Sequence, residues 1–198
     1  MMYGENRDST SIVSLIPKDS VGVEIGVWRA LTTQKFLLAK PKKIYAIDPW
    51  SIEPYKMGEH YQLYLDRYER LVGSRDPKEF MVVYERVYQE AVRRVGNNSI
   101  CELCRMTSDS WFALYKDVQP DWIYVDGDHS YDAVLKDLNN CLNVIKKGGM
   151  ILGDCYLWDE DSSNDVHKIQ VTAAVNRFIR LNDLPITRYG VNQYRIDV

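Results

Sequence analysis

Five short apolar runs punctuate the chain: VGVEI at 21–25, IYAI at 44–47, SICELC at 99–104, WIYV at 122–125 and MILG at 150–153. Each is apolar almost throughout instead of alternating, the pattern of a strand buried on both faces. Between them lie stretches of helical period, Thr32 to Ala39, Ser108 to Tyr115 and Tyr131 to Ile145. In the last of these, Ala133, Val134, Leu138, Leu142 and Ile145 make one apolar stripe. Such alternation predicts a parallel sheet covered by helices. The chain end breaks the rhythm. After a helix around Val171 to Leu181, two β-like runs in PITRYGVNQYRIDV flank Gly190-Val191-Asn192, which predicts an antiparallel hairpin. The expected fold is α/β: a mostly parallel seven-stranded sheet with helices on both faces and a C-terminal antiparallel hairpin.

The stretch between Asp48 and Ser99 is longer than one crossover helix needs. It holds two helical patterns, EHYQLYLDRYERLV and PKEFMVVYERVYQEAVRRV. One crosses between strands and the other is surplus, a helical insertion around 51–75. Its Tyr61, Tyr64 and Tyr68 recur at three and four residues, so they share a helix face. That face either packs on the body of the domain or forms a lid over the substrate, since long insertions at an active edge are often functional. No internal repeat or linker divides residues 1–198, and a single domain is expected.

At 198 residues the chain can bury a core without metal or disulfide staples. A formal net charge of −3 gives no electrostatic footprint for nucleic acid. No apolar run approaches the roughly 20 residues that span a bilayer. The polar start MMYGENRDSTS lacks the basic-then-apolar order of a secretory signal. Neither nucleic acid nor membrane is therefore an expected partner. Cys101 and Cys104 have CxxC spacing, which raises redox or zinc readings. Yet they lie in a predicted strand, where residues three apart point to opposite faces, and no second CxxC or His pair completes a zinc site. With Cys141 and Cys155 they read as ordinary buried thiols of a reducing cytoplasm.

Candidate chemistry gathers at the strand ends. VEIGVWRALT runs from a strand through a turn into a helix, and Gly26 stands where the backbone is expected to pass close to a ligand. Glu24 ends a buried strand, where a lone carboxylate needs a partner: the ammonium of a bound amino-acid moiety, or turn N–H groups. The GxGxxG pattern fails, with Trp28 and Ala30 at glycine positions, which counts against a pyrophosphate-binding dinucleotide fold. In IYAIDPW, Asp48 ends the second strand some twenty residues later, where an acid accepts both ribose hydroxyls; otherwise it is a turn residue before Pro49. In DWIYVDGDHSYDAVLKDL, three titratable groups, Asp126, Asp128 and His129, follow a fully apolar strand. Asp128 or Ser130 is expected to cap the next helix, but a cap needs one such residue and not three. IKKGGMILGDCY delivers Asp154 at the end of the next strand, beside Asp126 if the two strands are neighbours. Two carboxylates that close call for a cation or a shared proton, and hard oxygen ligands suit Mg²⁺. An α/β-hydrolase is excluded by the missing GxSxG elbow.

These motifs, in this order and spacing, resemble the Rossmann-like class I S-adenosylmethionine-dependent methyltransferases. They look like the family that includes the macrocin-type sugar O-methyltransferases, and more distantly like the catechol-type enzymes, over roughly residues 20 to 196, with the 51–75 insertion least covered. The stretch YVDGDHSYDAVLKDL…IKKGGMILGDCY carries most of the resemblance. It implies that Glu24, Gly26, Trp28 and Thr32 surround the methionine part of S-adenosylmethionine, with Asp126 beside it. Asp48 takes the ribose, and Thr107 and Ser108 lie near the adenine. Asp126 and Asp154 hold a divalent metal, Mg²⁺. The general base is Asp128 by analogy with the sugar enzymes, or His129, which stands where the catechol-type enzymes carry a Lys. These families commonly place a second Asp or Asn directly after the second metal aspartate, and here that position is Cys155, a soft ligand poorly matched to Mg²⁺. The expected reaction is methylation of a small-molecule hydroxyl on a sugar or secondary metabolite. The competing reading is a non-catalytic module that keeps only the S-adenosylmethionine pocket.

Overall fold

The computed structural model describes residues 10–56, 61–158 and 165–198. The polar start at 1–9 and the first two positions of the insertion helix expected from residue 59 lie outside the described residues. Seven strands form one sheet: β1 (Val21–Ile25), β2 (Lys43–Asp48), β3 (Cys101–Arg105), β4 (Trp122–Val125), β5 (Met150–Gly153), β6 (Ile186–Tyr189) and β7 (Gln193–Asp197). Their spatial order is β3-β2-β1-β4-β5-β7-β6. Strands β1 to β5 are parallel, and β7 runs antiparallel to both β5 and β6. The expected mostly parallel sheet with a terminal hairpin is the observed one.

Helices cover both faces. One layer holds α1 (Thr10–Val13), α2 (Leu31–Leu38), α3 (Tyr61–Val72) and α4 (Pro77–Val95); the other holds α5 (Ser108–Leu114), α6 (Tyr131–Val144) and α7 (Val166–Asn182). The central strands feed both layers by simple alternation. Trp122 and Tyr124 of β4 face the first layer, and Ile123 and Val125 face the second. Strand β3 obeys the same rule, so Cys101 packs under the first layer and Cys104 under the second. All four cysteines are buried and free.

The long crossover between β2 and β3 contains a 3₁₀ turn (Glu53–Tyr55) and then α3 and α4. Helix α4 starts at Pro77 with Asp76 accepting a bond from the Lys78 N–H, a sequence-encoded N-cap. It buries Phe80, Tyr84, Val87, Ala91 and Val95, whose spacing of three and four residues defines one face. Helix α3 packs Leu65 and Tyr68 into the same cluster, with Tyr68 bonded through its hydroxyl to Tyr84. Helix α7 begins five residues earlier than the sequence pattern predicts, because Asp165 caps it through the N–H groups of His167 and Lys168. Among the described residues, no helix is long and apolar enough to cross a membrane.

Candidate active site

The site lies at the carboxyl ends of the parallel strands, where the turns after β1, β2 and β4 meet. Gly26 has φ of +90°, and a Cβ there would fall 2.1 Å from the carbonyl oxygen of Asp126. The glycine is thus required by the approach of the β4 turn to the β1 turn, rather than by the approach of a ligand to backbone. Trp28 and Ala30 follow, both in the left-handed region, which L side chains enter only when surrounding structure holds them there.

Asp48 supplies that hold. Its Oδ2 accepts the Trp28 N–H at 2.9 Å and its Oδ1 accepts the Trp50 N–H at 2.7 Å. The Trp50 indole closes the ring by donating to the Trp28 carbonyl at 2.8 Å. Burial pushes the Asp48 carboxyl up to about 6, against the pull of the backbone N–H groups of Trp28, Trp50 and Val27. Each carboxylate oxygen has a second acceptor site, so clamping the loop leaves Asp48 capacity to accept from a ligand.

The turns surround a cavity of about 600 Å³, within the range of small-molecule sites. Of the residues expected to hold a cofactor, Gly26, Trp28, Thr32, Asp48, Thr107, Ser108 and Asp126 all line it. Thr107 also caps α5, accepting the Ser110 N–H at 3.2 Å. Glu24 is the exception. It is fully buried, does not line the cavity, and neither carboxyl oxygen has a hydrogen-bond partner among the described residues. Alternation along β1 turns it toward α2, where the Thr33 hydroxyl offsets only part of the cost of burial; the carboxyl is pushed up to about 8. Among the described residues, no turn N–H group meets it.

Asp128 and His129 follow β4. Asp128 Oδ1 accepts the Ser130 N–H at 2.9 Å and the Tyr64 hydroxyl at 2.6 Å. Ser130 occupies the N-cap position of α6 without making a side-chain capping bond. Tyr64 comes from α3, where Tyr68 packs on α4 and both tyrosines line the cavity. His129 Nε2 lies 3.0 Å from Asp126 Oδ1. Burial alone would lower the imidazole, but its bonds to Asp126 and Cys155 and their charges outweigh that and push it up to about 10.

The metal expectation rested on Asp126 and Asp154 standing side by side. Val125 and Gly153 are register partners, so Asp126 and Asp154 do leave neighbouring strands at the same level. Their side chains nevertheless take different company. Asp154 Oδ1 accepts the N–H of Cys155 at 2.6 Å and its Oδ2 meets the Tyr124 hydroxyl at 3.4 Å. Cys155 has φ of +63°, and its thiol joins Asp126 and His129, the ligand atoms of all three lying within 4.8 Å of one another. Asp154 is outside that group. Carboxylate, imidazole and thiol do not make the hard oxygen set that Mg²⁺ requires, so no step is assigned to Mg²⁺.

Asp137 also belongs to the cavity wall and was not foreseen. It is buried on α6, and burial pushes it up to about 7 against the pull of Ser108. The signal was present: Val134, Asp137, Leu138 and Cys141 occupy one buried face, and a carboxylate among apolar stripe positions is anomalous. Tyr55, Tyr84 and His167 line the cavity as well, from positions with no comparable mark.

A seven-stranded sheet in this order, with its cavity at the β1, β2 and β4 turns, defines a class I S-adenosylmethionine-dependent methyltransferase. The chain belongs to the methyltransferase-domain family, which it matches over residues 23–156. No curated protein matches the sequence. Among solved structures, an O-methyltransferase from Bacillus cereus in complex with SAH aligns with a TM-score of 0.60 at 13% identity, covering 100% of this chain and 83% of that one. The cofactor-bound Rv0187 from MTB gives 0.64 at 10% identity, with 100% and 83% covered. CalS11, a TDP-rhamnose 3′-O-methyltransferase of calicheamicin biosynthesis, gives 0.50 at 15% identity, with 93% and 73% covered. At such identities these likenesses bear on the fold.

Proposed function

We propose that this chain transfers a methyl group from S-adenosylmethionine to a hydroxyl of a small molecule, a sugar or a secondary metabolite. The observation that carries the reading is Asp128. Both of its hydrogen bonds fall on Oδ1, which leaves Oδ2 without a partner among the described residues on a carboxylate that lines the cavity. A carboxylate anchored through one oxygen and open at the other is arranged to take a proton.

The residues present fit the cofactor. The turn from Gly26 to Thr32 and the carboxylate of Asp48 would receive its amino-acid and ribose parts, with Thr107 and Ser108 at the adenine. Asp126 offers negative charge to its cationic end. When bound, S-adenosylmethionine supplies an electrophilic methyl group, which leaves the protein to orient and deprotonate the acceptor. Asp128 Oδ2 accepts the hydroxyl proton. Tyr64 and the Ser130 N–H hold Oδ1 in place, and α3 screens that side of the cavity from water. His129, tied to Asp126, positions that carboxylate instead of acting as the base. The O-methyltransferase from Bacillus cereus and the sugar methyltransferase CalS11 support the choice of a hydroxyl acceptor. Four free buried thiols fit a cytoplasmic enzyme.

The test is Asp128→Asn, assayed with a panel of sugar and phenolic acceptors. Loss of a general base lowers kcat by about 10²- to 10⁴-fold, while calorimetric affinity for S-adenosylhomocysteine stays that of the parent. Undiminished turnover in Asp128→Asn removes the assignment. Cofactor binding without turnover of any acceptor in the parent chain favours the non-catalytic module.

A further inference from the structure

The reaction above leaves the Cys155 thiol without a role, yet it meets Asp126 and His129 in one group. Asp126 stands at the end of β4, where its N–H donates to the Ile25 carbonyl at 2.9 Å. His129 follows three residues later, before α6. Cys155 leaves the end of β5, its N–H bound by Asp154 at 2.6 Å, and the next N–H, of Tyr156, bonds the Asn192 carbonyl at 2.9 Å. The Ile25 carbonyl at the end of β1, the Asp154 side chain and the Asn192 carbonyl of the β6–β7 turn therefore fix the segments that carry two of the three side chains.

The arrangement is asymmetric toward solvent. Cys155 is 6% exposed and lies behind the cavity wall, whereas Asp126 and His129 line the cavity itself. A cation seated among the three has protein on the thiol side and open positions on the cavity side. Three protein ligands with a remaining position for solvent or substrate is the pattern of reactive zinc sites, as opposed to closed four-ligand structural ones. One carboxylate oxygen, one imidazole nitrogen and one sulfur also match a borderline-soft ion far better than Mg²⁺. Asp154 then has a role in keeping with its bonds: it fixes the backbone of a ligating residue from outside the coordination sphere.

We propose that Asp126, His129 and Cys155 form a three-donor site for a thiophilic divalent cation of the Zn²⁺ type, with its open coordination position facing the cavity. Ligation requires a thiolate and a neutral imidazole nitrogen, so the thiol proton and the proton between His129 and Asp126 pass to solvent as the cation enters. Charge balances without an oxidant or reductant. The site does not depend on methyl transfer, although its open position lies where the proposed acceptor would bind.

Cobalt reports such a site directly. The full chain, stripped with chelator, is titrated with Co²⁺ alone and then with Zn²⁺ or Mg²⁺ as competitor. The expected result is a single bound cobalt with a sulfur-to-metal charge-transfer band in the near ultraviolet, displaced by Zn²⁺ and not by Mg²⁺. Cys155→Ser loses that band and weakens Zn²⁺ binding by more than the roughly 10- to 100-fold that loss of an outer partner produces. Cys155→Asp shifts preference toward oxygen-seeking ions. A parent spectrum without the sulfur band overturns the proposal and requires no variant. So does Zn²⁺ affinity unchanged in both Cys155→Ser and His129→Ala. Titrating the same samples with S-adenosylhomocysteine reads the cofactor pocket separately, so loss of this proposal and loss of the methyltransferase reading give different results.

Discussion

Glu24 offers the sharpest quantitative test, because its carboxyl is fully buried with no hydrogen-bond partner among the described residues. Burial, opposed in part by Thr33 and reinforced by the charges of Asp126 and Asp48, raises it from 4.5 to about 8. The folded chain therefore keeps a proton that the unfolded chain releases. For a carboxyl raised on folding, stability is unaffected below the unfolded value and falls as pH rises toward the folded one. The window here runs from 4.5 to about 8. At neutral pH the gap spans about two and a half pH units, which at 1.36 kcal/mol per unit costs about 3 kcal/mol. Glu24→Gln keeps the shape and removes the ionisation. Urea unfolding of parent and variant at about pH 5, 7 and 8.5 should show a gap of under about 1 kcal/mol at the first and a variant more stable by about 3 kcal/mol at the second, with a larger gap at the third. Titrating groups that do not interact with Glu24 contribute alike to both chains, so the difference reports position 24 together with its coupling to Asp48 and Asp126. A difference that stays flat with pH, or a variant less stable at neutrality, refutes the reasoning. The same variant should bind S-adenosylhomocysteine like the parent, since Glu24 does not line the cavity.

Two further substitutions probe the turns. Gly26→Ala places a Cβ 2.1 Å from the Asp126 carbonyl oxygen at φ of +90°; overpacking and backbone strain together should cost about 2 to 5 kcal/mol in urea unfolding, and a shift under ~1 kcal/mol would show that the two turns separate easily. Tyr64→Phe removes the phenol that donates to Asp128 at 2.6 Å. A charge-assisted bond of about 1.5 to 3 kcal/mol then no longer holds α3, and hydrogen exchange across Tyr61–Val72 should speed up by about ten- to a hundredfold. Unchanged exchange would mean that packing on α4 alone holds the helix.

What the sequence made legible was the backbone plan. Fully apolar runs marked β1 to β5, and the sudden cluster of Asp126, Asp128 and His129 after WIYV marked the edge where the cavity lies. Side-chain direction was much less legible. Period-two alternation put Glu24 and Gly22 on one face, but nothing in the letters says which face meets the cavity and which meets Thr33. Asp154 and Cys155 are adjacent, so an aspartate after a strand and opposite Asp126 was the natural ligand. The left-handed turn at Cys155 adds a second donor group by bringing the thiol near His129, and a positive φ at a non-glycine residue leaves no composition signal. The reason for Gly26 was likewise hidden, because the backbone it must clear is a hundred residues away in sequence.

The edge strand β3 has a practical consequence. Cys101 and Cys104 are three residues apart in sequence but lie under different helical layers, and burial holds their thiols up at about 12 and about 11. Neither reacts with an alkylating reagent until its own layer lifts. The chain thus carries two internal clocks on a single peptide. Equal labelling rates under native conditions would mean the layers part together as one cooperative unit; unequal rates would name the layer that breathes first, with no probe attached and no residue changed.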